Sequence, residues 1–256
     1  MTPFDDRGLT LGDGLFETVL ARNGQLAGTE AHLDRLALGC EAIGLPPPDR
    51  AKARSVMRQA LTGAGLEHSR AAVRLTLTAG SGGRGLERPS SPEPRMFATA
   101  AAAPMPPGPA RLAVSLVRRN AASPGSRLKT LSYIDNVLAR REAQAAGCDE
   151  ALMLNGEGEV ACATAANVFW IAEGRLFTPA LECGVLAGTM RARVLDAAGR
   201  LGVTTVQVRA GLADLEAGEA AFLTNALIGV RPVASLGERT YGRATLVDEL
   251  ARVAVG

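Results

Sequence analysis

The segment RRNAASPGSR, residues 118–127, constrains the fold of this chain more than any other feature. Its proline, glycine and small polar residues show neither helical nor strand periodicity, which is typical of a connection between folded parts. The stretches on either side are long enough to bury hydrophobic cores of their own. We therefore predict a smaller α/β N-terminal domain at residues 1–117, an interdomain linker at 118–127 and a larger C-terminal domain at 128–256.

Strands and helices alternate on the N-terminal side. A helix is predicted at residues 30–43, with Thr29 as its N-cap, because apolar residues recur there on one face. A second helix is predicted to start at Asp49. Apolar and polar residues alternate at 73–78, which indicates a half-buried strand. Residues 98–109 are rich in alanine and proline, and no helix or strand is assigned to them.

The C-terminal side continues this alternation, and the whole pattern predicts an α/β (α+β) fold with two lobes. The pairs Asn155-Gly156 and Glu173-Gly174 are predicted to be turns between paired strands. The other predicted elements are a strand at 112–117, a helix at 133–146 that stops at Gly147, a helix at 189–201, strands near Val206 and at 220–224, and a short C-terminal helix.

Charge and cysteine content exclude several classes of protein. The net charge is +2 and the arginines are scattered, without the basic and aromatic stripe of a nucleic-acid-binding surface. No stretch approaches the roughly 20 apolar residues of a membrane helix, and the N-terminus does not resemble a signal peptide. The four cysteines are widely spaced and only two histidines are present, so neither a disulfide framework nor a metal cluster is expected. These features predict a cytoplasmic protein.

A glycine motif at residues 80–85 has the GxGxxG spacing of a dinucleotide-binding turn and follows a predicted strand. That function requires a helix directly after the glycines, so that its N-terminus faces the pyrophosphate. Three prolines between residues 89 and 94 prevent such a helix. We therefore interpret the motif as a flexible loop that presents Arg84.

Lys129 is one of only two lysines in the chain, the other being Lys52. It lies between the linker and a predicted helix, where the helix dipole opposes protonation of its amine. A lysine with a lowered pKa can attack an aldehyde and form a Schiff base. A single lysine is more often a solvated surface charge, and position alone favours that interpretation.

Two further features are suited to an anion. Arg35 offers a planar guanidinium that matches phosphate oxygens, although a helix-surface arginine is the commoner case. Gly188, Thr189 and Met190 begin a predicted helix, whose first backbone N–H groups can bind an anion. An ordinary helix N-terminus explains these three residues equally well.

Together these features make the chain resemble the class IV aminotransferases, and among them the aminodeoxychorismate lyases. The resemblance covers nearly the whole length and depends on the order and spacing of its motifs. They are DRGLTLGDGLFET (6–18), HLDRL (32–36), RLTLTAGSGGRG (74–85), KTLSYIDNVLARREA (129–143), DEALMLN (149–155), AANVFW (165–170), FTP with VLAGTMR (177–191), and TNALIGVRPV (224–233).

The resemblance implies the fold of D-amino acid aminotransferases, which is fold type IV of the pyridoxal 5′-phosphate enzymes, with the cofactor in the larger C-terminal domain. It also implies a homodimer. Lys129 would be the lysine that forms a Schiff base with the cofactor. Arg84 would contact a substrate carboxylate, or have a structural role. The other cofactor-binding residues would be Arg35, Tyr133, Cys162, Asn167, Gly188, Thr189, Met190, Thr224 and Asn225.

Cys162 departs from the family pattern, which places a glutamate five residues before the asparagine of the AANVFW segment. That glutamate holds the pyridine nitrogen of the cofactor protonated, which makes the ring a strong electron sink. A thiol is a weaker partner for that nitrogen. Either another group, such as Glu159, takes the place of the glutamate, or the enzyme works with a weaker electron sink. Cys162 itself is interpreted as a small buried residue.

The resemblance predicts 4-amino-4-deoxychorismate lyase activity, which releases pyruvate and p-aminobenzoate for folate synthesis. The segments GSGGRG and TNALIGVRPV favour this reaction. One alternative is a transaminase of D-amino acids or branched-chain L-amino acids. A second alternative, suggested by Cys162, is a cofactor-binding protein without catalytic activity.

Overall fold

The computed structural model of the chain describes residues 3–255, which divide into two compact units. The first unit extends to Met105 and includes Leu128–Ser132. The second comprises Pro106–Arg127 and the chain from Tyr133 onward. These boundaries differ from the predicted ones, because a strand before the linker pairs within the second unit and the five residues after the linker belong to the first.

The first unit is built on a four-stranded antiparallel sheet with the strand order β2-β1-β3-β4. Its elements are α1 (Arg7–Leu11), β1 (Gly14–Arg22), β2 (Gln25–Leu26), α2 (Thr29–Ala42), α3 (Arg50–Gly63), β3 (Arg70–Thr78) and β4 (Arg95–Ala102).

Helices α2 and α3 pack on one face of this sheet. Alternate residues of β1, such as Leu15 and Val19, join Leu33 and Leu36 of α2 and Met57 of α3 in one hydrophobic core. Because successive strand residues point to opposite faces, Glu17 lies on the core side, between Leu15 and Val19. Burial of these apolar side chains stabilises the unit by roughly 25 cal/mol per Å² removed from water.

The two helix starts predicted in this unit had different outcomes. Asp49 caps α3 as predicted, since its side chain accepts a hydrogen bond from the amide of Lys52. Thr29 is not the cap of α2. Gly28 occupies that position with a φ of 61°, and the hydroxyl of Thr29 donates to the carbonyl of Leu26 instead. Glycine adopts this left-handed conformation readily, whereas threonine does not.

Strand β4 lies in the alanine-rich segment to which the sequence assigned no element. It pairs with β3 along its whole length, from Arg95 opposite Thr78 to Ala102 opposite Ala71. Alanine has little intrinsic preference for strands, so this strand exists because β3 offers a partner and small side chains fit beneath α3.

The second unit contains a nine-stranded mixed sheet within the described residues. The strand order is β10-β9-β8-β11-β12-β5-β6-β7, and β13 pairs with β12. The elements are β5 (Ala110–Val114), α4 (Ile134–Ala145), β6 (Glu150–Leu154), β7 (Val160–Ala163), β8 (Asn167–Ala172), β9 (Arg175–Pro179), α5 (Thr189–Arg200), β10 (Thr205–Val208), α6 (Leu212–Glu216), β11 (Ala220–Asn225), β12 (Gly229–Leu236), β13 (Arg239–Thr240) and α7 (Thr245–Val255).

Strand β8 is buried on both faces of this sheet. Phe169 and Ile171 join the core formed with α5 and α7, whereas Val168 and Trp170 join the core on the other face. Phe169 also stacks on Phe222 of β11, with ring centroids 5.0 Å apart. The predicted turns at 155–156 and 173–174 are confirmed, because antiparallel strands pair on either side of each.

No helix in residues 3–255 is both long enough and apolar enough to cross a lipid bilayer.

Candidate active site

Lys129 is fixed to β1 in the first unit through its backbone. Its carbonyl accepts a 2.9 Å hydrogen bond from the amide of Phe16, and Thr130 forms an antiparallel bridge with Leu15. The Lys129 Nζ lies 4.2 Å from the centroid of the Phe16 ring. The segment after the linker thus adds to β1 like a short strand, and this brings the lysine against an aromatic face.

The surroundings of Lys129 lower the pKa of its amine from 10.5 to about 8. Burial is the main cause, because it disfavours the charged form. The carboxylate of Glu17 opposes this effect, and the guanidinium groups of Arg35 and Arg74 add to it. The side chain is only half-buried by exposed area, yet the groups packed around it exclude enough water to destabilise the ammonium. Lys129 is therefore a candidate nucleophile and proton acceptor.

Glu17 is the centre of a buried ionic cluster, with only 1% of its surface exposed. Its Oε1 accepts a 2.8 Å hydrogen bond from Nε of Arg35, and its Oε2 accepts a 2.6 Å bond from Nη2 of the same guanidinium. Nδ1 of His32 lies 2.7 Å from Oε2. Burial acts to raise the pKa of Glu17, but the hydrogen bonds from His32 and Arg35 outweigh it and hold the pKa below its usual value.

Arg74 is a site residue that the sequence did not reveal. Its Cζ lies 3.5 Å from the centroid of the Phe16 ring, which Lys129 also contacts. It stands opposite Thr18 in the β1–β3 ladder, two residue pairs away from the Phe16–Thr76 pair and on the same face of the sheet. The available signal was an arginine at a polar position of an alternating strand, but only the register between β1 and β3 places it near the lysine.

The loop at residues 80–85 has no helix after it, as predicted, since the next element is β4. Arg84 is exposed, and the described part of the chain gives it no hydrogen bond or ion pair. The loop is instead held by Arg7, which is 3% exposed and donates to the carbonyls of Leu86 (2.7 Å) and Glu87 (2.9 Å). Arg7 was not among the predicted residues.

Asn167 and Thr224 form a cross-strand pair in the second unit, where β8 lies beside β11. Asn167 lies two residues before Phe169, and Thr224 lies two residues after Phe222. Because alternate strand residues point to the same face, both side chains point to the side of the sheet on which α5 packs. A Cβ on Gly188, the N-cap of α5, would stand 2.0 Å from Oδ1 of Asn167. The amide of Asn167 also donates a 2.9 Å bond to the carbonyl of Leu186. These contacts bring the start of α5 against the ends of both strands.

Thr224 has a fully buried hydroxyl for which the described residues provide no hydrogen-bond partner. Such a group costs free energy unless a ligand or a bound water satisfies it. Asn225 next to it shapes a turn, since its Oδ1 accepts from the amides of Leu227 and Ile228 and its Nδ2 donates to Ala165. The turn, the lone hydroxyl and the helix start together suit an anionic ligand.

Cys162 is buried in β7, and burial raises the pKa of its thiol, so the thiol is neutral near pH 7. Arg119 and Glu150 are the charged groups that act on it. Glu159, the suggested replacement for the missing carboxylate, forms a 2.8 Å ion pair with Arg209. The interpretation of Cys162 as a small core residue agrees with its place in the cluster beneath α4.

The predicted site residues thus form two groups, one in each unit. Lys129 and Arg35 lie near Glu17 in the first unit. Arg84 belongs to the same unit but is exposed on the 80–85 loop. Tyr133 is part-buried at the N-cap position of α4, in the second unit. The group around the start of α5 is Asn167, Gly188, Thr189, Met190, Thr224 and Asn225.

Among residues 3–255, no three or more His, Cys, Asp or Glu side chains lie close enough to hold a metal ion. The four cysteines are free thiols.

Comparison with known proteins shows the family of this chain. The family described as amino-transferase class IV matches residues 14–236. The chain belongs to the class IV aminotransferase family. A relative from Methanocaldococcus jannaschii, provisionally named a branched-chain-amino-acid aminotransferase, is 31% identical over 91% of this chain and 82% of its own. The aminodeoxychorismate lyase of Vibrio harveyi is 28% identical over 91% of this chain and 87% of its own.

A solved structure shows the same fold within the family. The 4-amino-4-deoxychorismate lyase of Pseudomonas aeruginosa superposes with a TM-score of 0.88 at 31% identity, covering 98% of this chain and 93% of the other. This similarity confirms the predicted fold class. The relatives include both lyases and aminotransferases, so the family alone does not select one reaction.

Proposed function

We propose that this chain is a pyridoxal 5′-phosphate-dependent 4-amino-4-deoxychorismate lyase, which releases pyruvate and p-aminobenzoate. The observation that carries the proposal is the half-buried Lys129, whose amine has a pKa of about 8. This amine and the guanidinium of Arg74 both contact the ring of Phe16. A lysine that loses its proton this readily can bind an aldehyde and exchange protons near neutral pH. Arg74 beside it suits a substrate carboxylate, of which aminodeoxychorismate has two.

The residues present fit the cofactor. A phosphate needs several hydrogen-bond donors, and the buried Thr224 hydroxyl is a donor without a described partner. Gly188 leaves the start of α5 uncovered, since a larger residue there would collide with Asn167. Lys129 would bind the aldehyde group, and Tyr133, Cys162 and Asn167 would lie near the ring. The residues that would hold the phosphate are Arg35, Gly188, Thr189, the amide of Met190, Thr224 and Asn225.

When bound, the cofactor supplies an electron-withdrawing ring that stabilises negative charge on the carbon beside the substrate amine. The chain's own residues supply the proton transfers. In its neutral form, Lys129 takes the proton from the substrate ring carbon that carries the amine. The bond between the neighbouring ring carbon and the enolpyruvyl oxygen then breaks, its electrons leave with that oxygen, and the ring becomes aromatic. Lys129 returns the proton to the methylene carbon of the released enolpyruvate, which gives pyruvate.

The neutral thiol of Cys162 supports the lyase over the transaminase. A transaminase must convert the cofactor to its amine form and back. Each conversion requires the cofactor ring to stabilise negative charge. The lyase reaction is driven by aromatisation of the product and tolerates a weaker sink. The transaminase remains the second candidate, because the relative from M. jannaschii carries an aminotransferase name at 31% identity.

The decisive experiment measures p-aminobenzoate release from aminodeoxychorismate by the purified protein with cofactor and without an amino acceptor. We expect release that is lost in Lys129→Ala. The matched control is Lys52→Ala, which changes the only other lysine, exposed on α3. Conversion of the cofactor to its amine form by an amino acid alone would favour the transaminase. Cofactor binding with neither reaction would favour a protein without catalytic activity.

We also propose that the protein acts as a cytoplasmic homodimer. The four free thiols support a reducing compartment. Sedimentation velocity at micromolar concentration tests the dimer, and a monomer at every concentration contradicts it.

A further inference from the structure

The Glu17 cluster is more elaborate than a phosphate-binding arginine requires. Arg35 is only 16% exposed, and two of its nitrogens are bound to one carboxylate. A third group, His32, is 3% exposed and binds the same carboxylate from its own position one helical turn before Arg35. The buried side chains of Glu17 and His32 and the largely buried guanidinium of Arg35 are costly to desolvate, which indicates a specific role for the cluster.

We propose that Glu17 and His32 are positioning residues, which hold the guanidinium of Arg35 in a single orientation for the cofactor phosphate. The inference rests on the proposed function, because it assumes that Arg35 contacts that phosphate.

The geometry restricts Arg35 at both ends of its guanidinium. A bond to Nε fixes the rotation about the last side-chain torsion, and a bond to Nη2 fixes the plane of the fork. An arginine held in this way loses less conformational freedom when it binds an anion. Glu17 therefore prepares Arg35 for its ligand instead of neutralising a surface charge.

His32 fixes the carboxylate in turn. Because Glu17 is ionised, it can only accept, so Nδ1 of His32 carries the hydrogen and donates it. Oε2 then receives one bond from His32 and one from Arg35, which prevents the carboxylate from rotating. Substitution of His32 is expected to loosen Arg35 without removing any group that touches the cofactor.

The same cluster places a negative charge close to Lys129. Glu17 follows Phe16, whose amide binds the lysine carbonyl, and the charged groups around the lysine amine are Glu17, Arg35 and Arg74. The carboxylate raises the pKa of Lys129, whereas both arginines lower it. Loss of the Glu17 charge is thus expected to shift the titration of Lys129 downward.

The test compares binding of pyridoxal 5′-phosphate and of pyridoxal to the full chain freed of cofactor. The ratio of the two dissociation constants isolates the phosphate contribution. We expect Glu17→Gln to reduce this ratio by roughly tenfold or more, which corresponds to loss of a charge-assisted hydrogen bond. Arg35→Ala should reduce it further, and Glu17→Gln should then add nothing in the Arg35→Ala background.

His32 supplies a second test that does not alter the carboxylate. His32→Asn keeps an N–H donor near the position of Nδ1 and should retain the binding ratio, whereas His32→Leu should lower it. The matched control is Glu30→Gln on the same helix, where the carboxylate forms exposed ion pairs with Arg50 and Arg54. It should leave the ratio unchanged.

A readout without cofactor follows the acylation rate of Lys129 against pH by mass spectrometry, with Lys52 as the internal reference. Glu17→Gln should move the midpoint for Lys129 to lower pH.

An unchanged binding ratio in Glu17→Gln and in His32→Leu, with lowered thermal stability alone, would show a purely structural cluster. If wild type does not prefer pyridoxal 5′-phosphate over pyridoxal, the proposed function itself fails. Should Glu17→Gln not fold, the two His32 variants decide the matter.

Discussion

The backbone amide of Phe16 donates a 2.9 Å hydrogen bond to the carbonyl of Lys129, and this contact ties the lysine to the first unit. It holds the residue at the edge of β1, where Phe16, Glu17 and Arg74 surround its amine. The chemistry of Lys129 therefore depends on strand register as much as on the lysine itself.

Replacement of Lys129 by methionine is expected to stabilise the cofactor-free protein near pH 7, by roughly 1 to 3 kcal/mol. The pKa of Lys129 is lowered on folding from 10.5 to about 8, so the unfolded chain binds the proton more tightly. The penalty is complete below pH 8 and disappears as the pH rises to 10.5. Urea unfolding at pH 7 and pH 10 measures this. An equal gain at both pH values contradicts the titration of the lysine.

The variant Thr224→Val is expected to affect stability and binding in opposite directions. Valine keeps the shape of threonine and removes a buried hydroxyl without a described partner, so the cofactor-free protein should gain up to about 1 kcal/mol. Affinity for pyridoxal 5′-phosphate should fall relative to pyridoxal, because one phosphate donor is lost. Chemical unfolding and equilibrium titration give the two values. Lower stability of the cofactor-free variant would show that the hydroxyl already has a partner.

Gly188→Ala is expected to destabilise the protein by about 1 to 2 kcal/mol. The backbone at Gly188 has a φ of −69°, which alanine tolerates, so the cost comes from the new Cβ at 2.0 Å from Oδ1 of Asn167. Displacing that amide breaks its bond to Leu186. The matched control is Gly199→Ala in α5, where an added Cβ would meet open space and alanine should raise the free energy of unfolding by about 0.5 to 1 kcal/mol. Thermal unfolding of both variants tests the difference in sign.

Arg7→Ala is expected to lower stability by roughly 2 to 4 kcal/mol, because the side chain of a buried arginine is removed and the loop carbonyls and Asp13 lose their donor at once. Arg7→Lys should not restore it, since one ammonium cannot reach Asp13, Leu86 and Glu87 together. Arg84→Ala on the same exposed loop provides the comparison and should change stability by less than about 0.5 kcal/mol. A similar loss in Arg7→Ala and Arg84→Ala would contradict the role given to Arg7.

Local signals were sufficient for several elements of this fold. The Asp49 cap of α3, the turns at 155–156 and 173–174, and the absence of a helix after the 80–85 glycines all follow from neighbouring residues. Each depends on interactions between residues close in the chain, which propensity and periodicity describe well. Strand β4 could not be found in this way, because its pairing with β3 outweighs a weak alanine preference.

The sequence by itself determined the family, through motifs in a fixed order, and it singled out Lys129 among only two lysines. Tertiary structure decided what surrounds that lysine. The pairing of β1 with β3 brings Arg74 to the Phe16 ring, and the packing of α2 on β1 places Arg35 and His32 on Glu17. A one-residue change of strand register would turn each of these side chains to the opposite face. The charge and hydration of Lys129 are therefore properties of the packed sheet, which no local stretch of sequence contains.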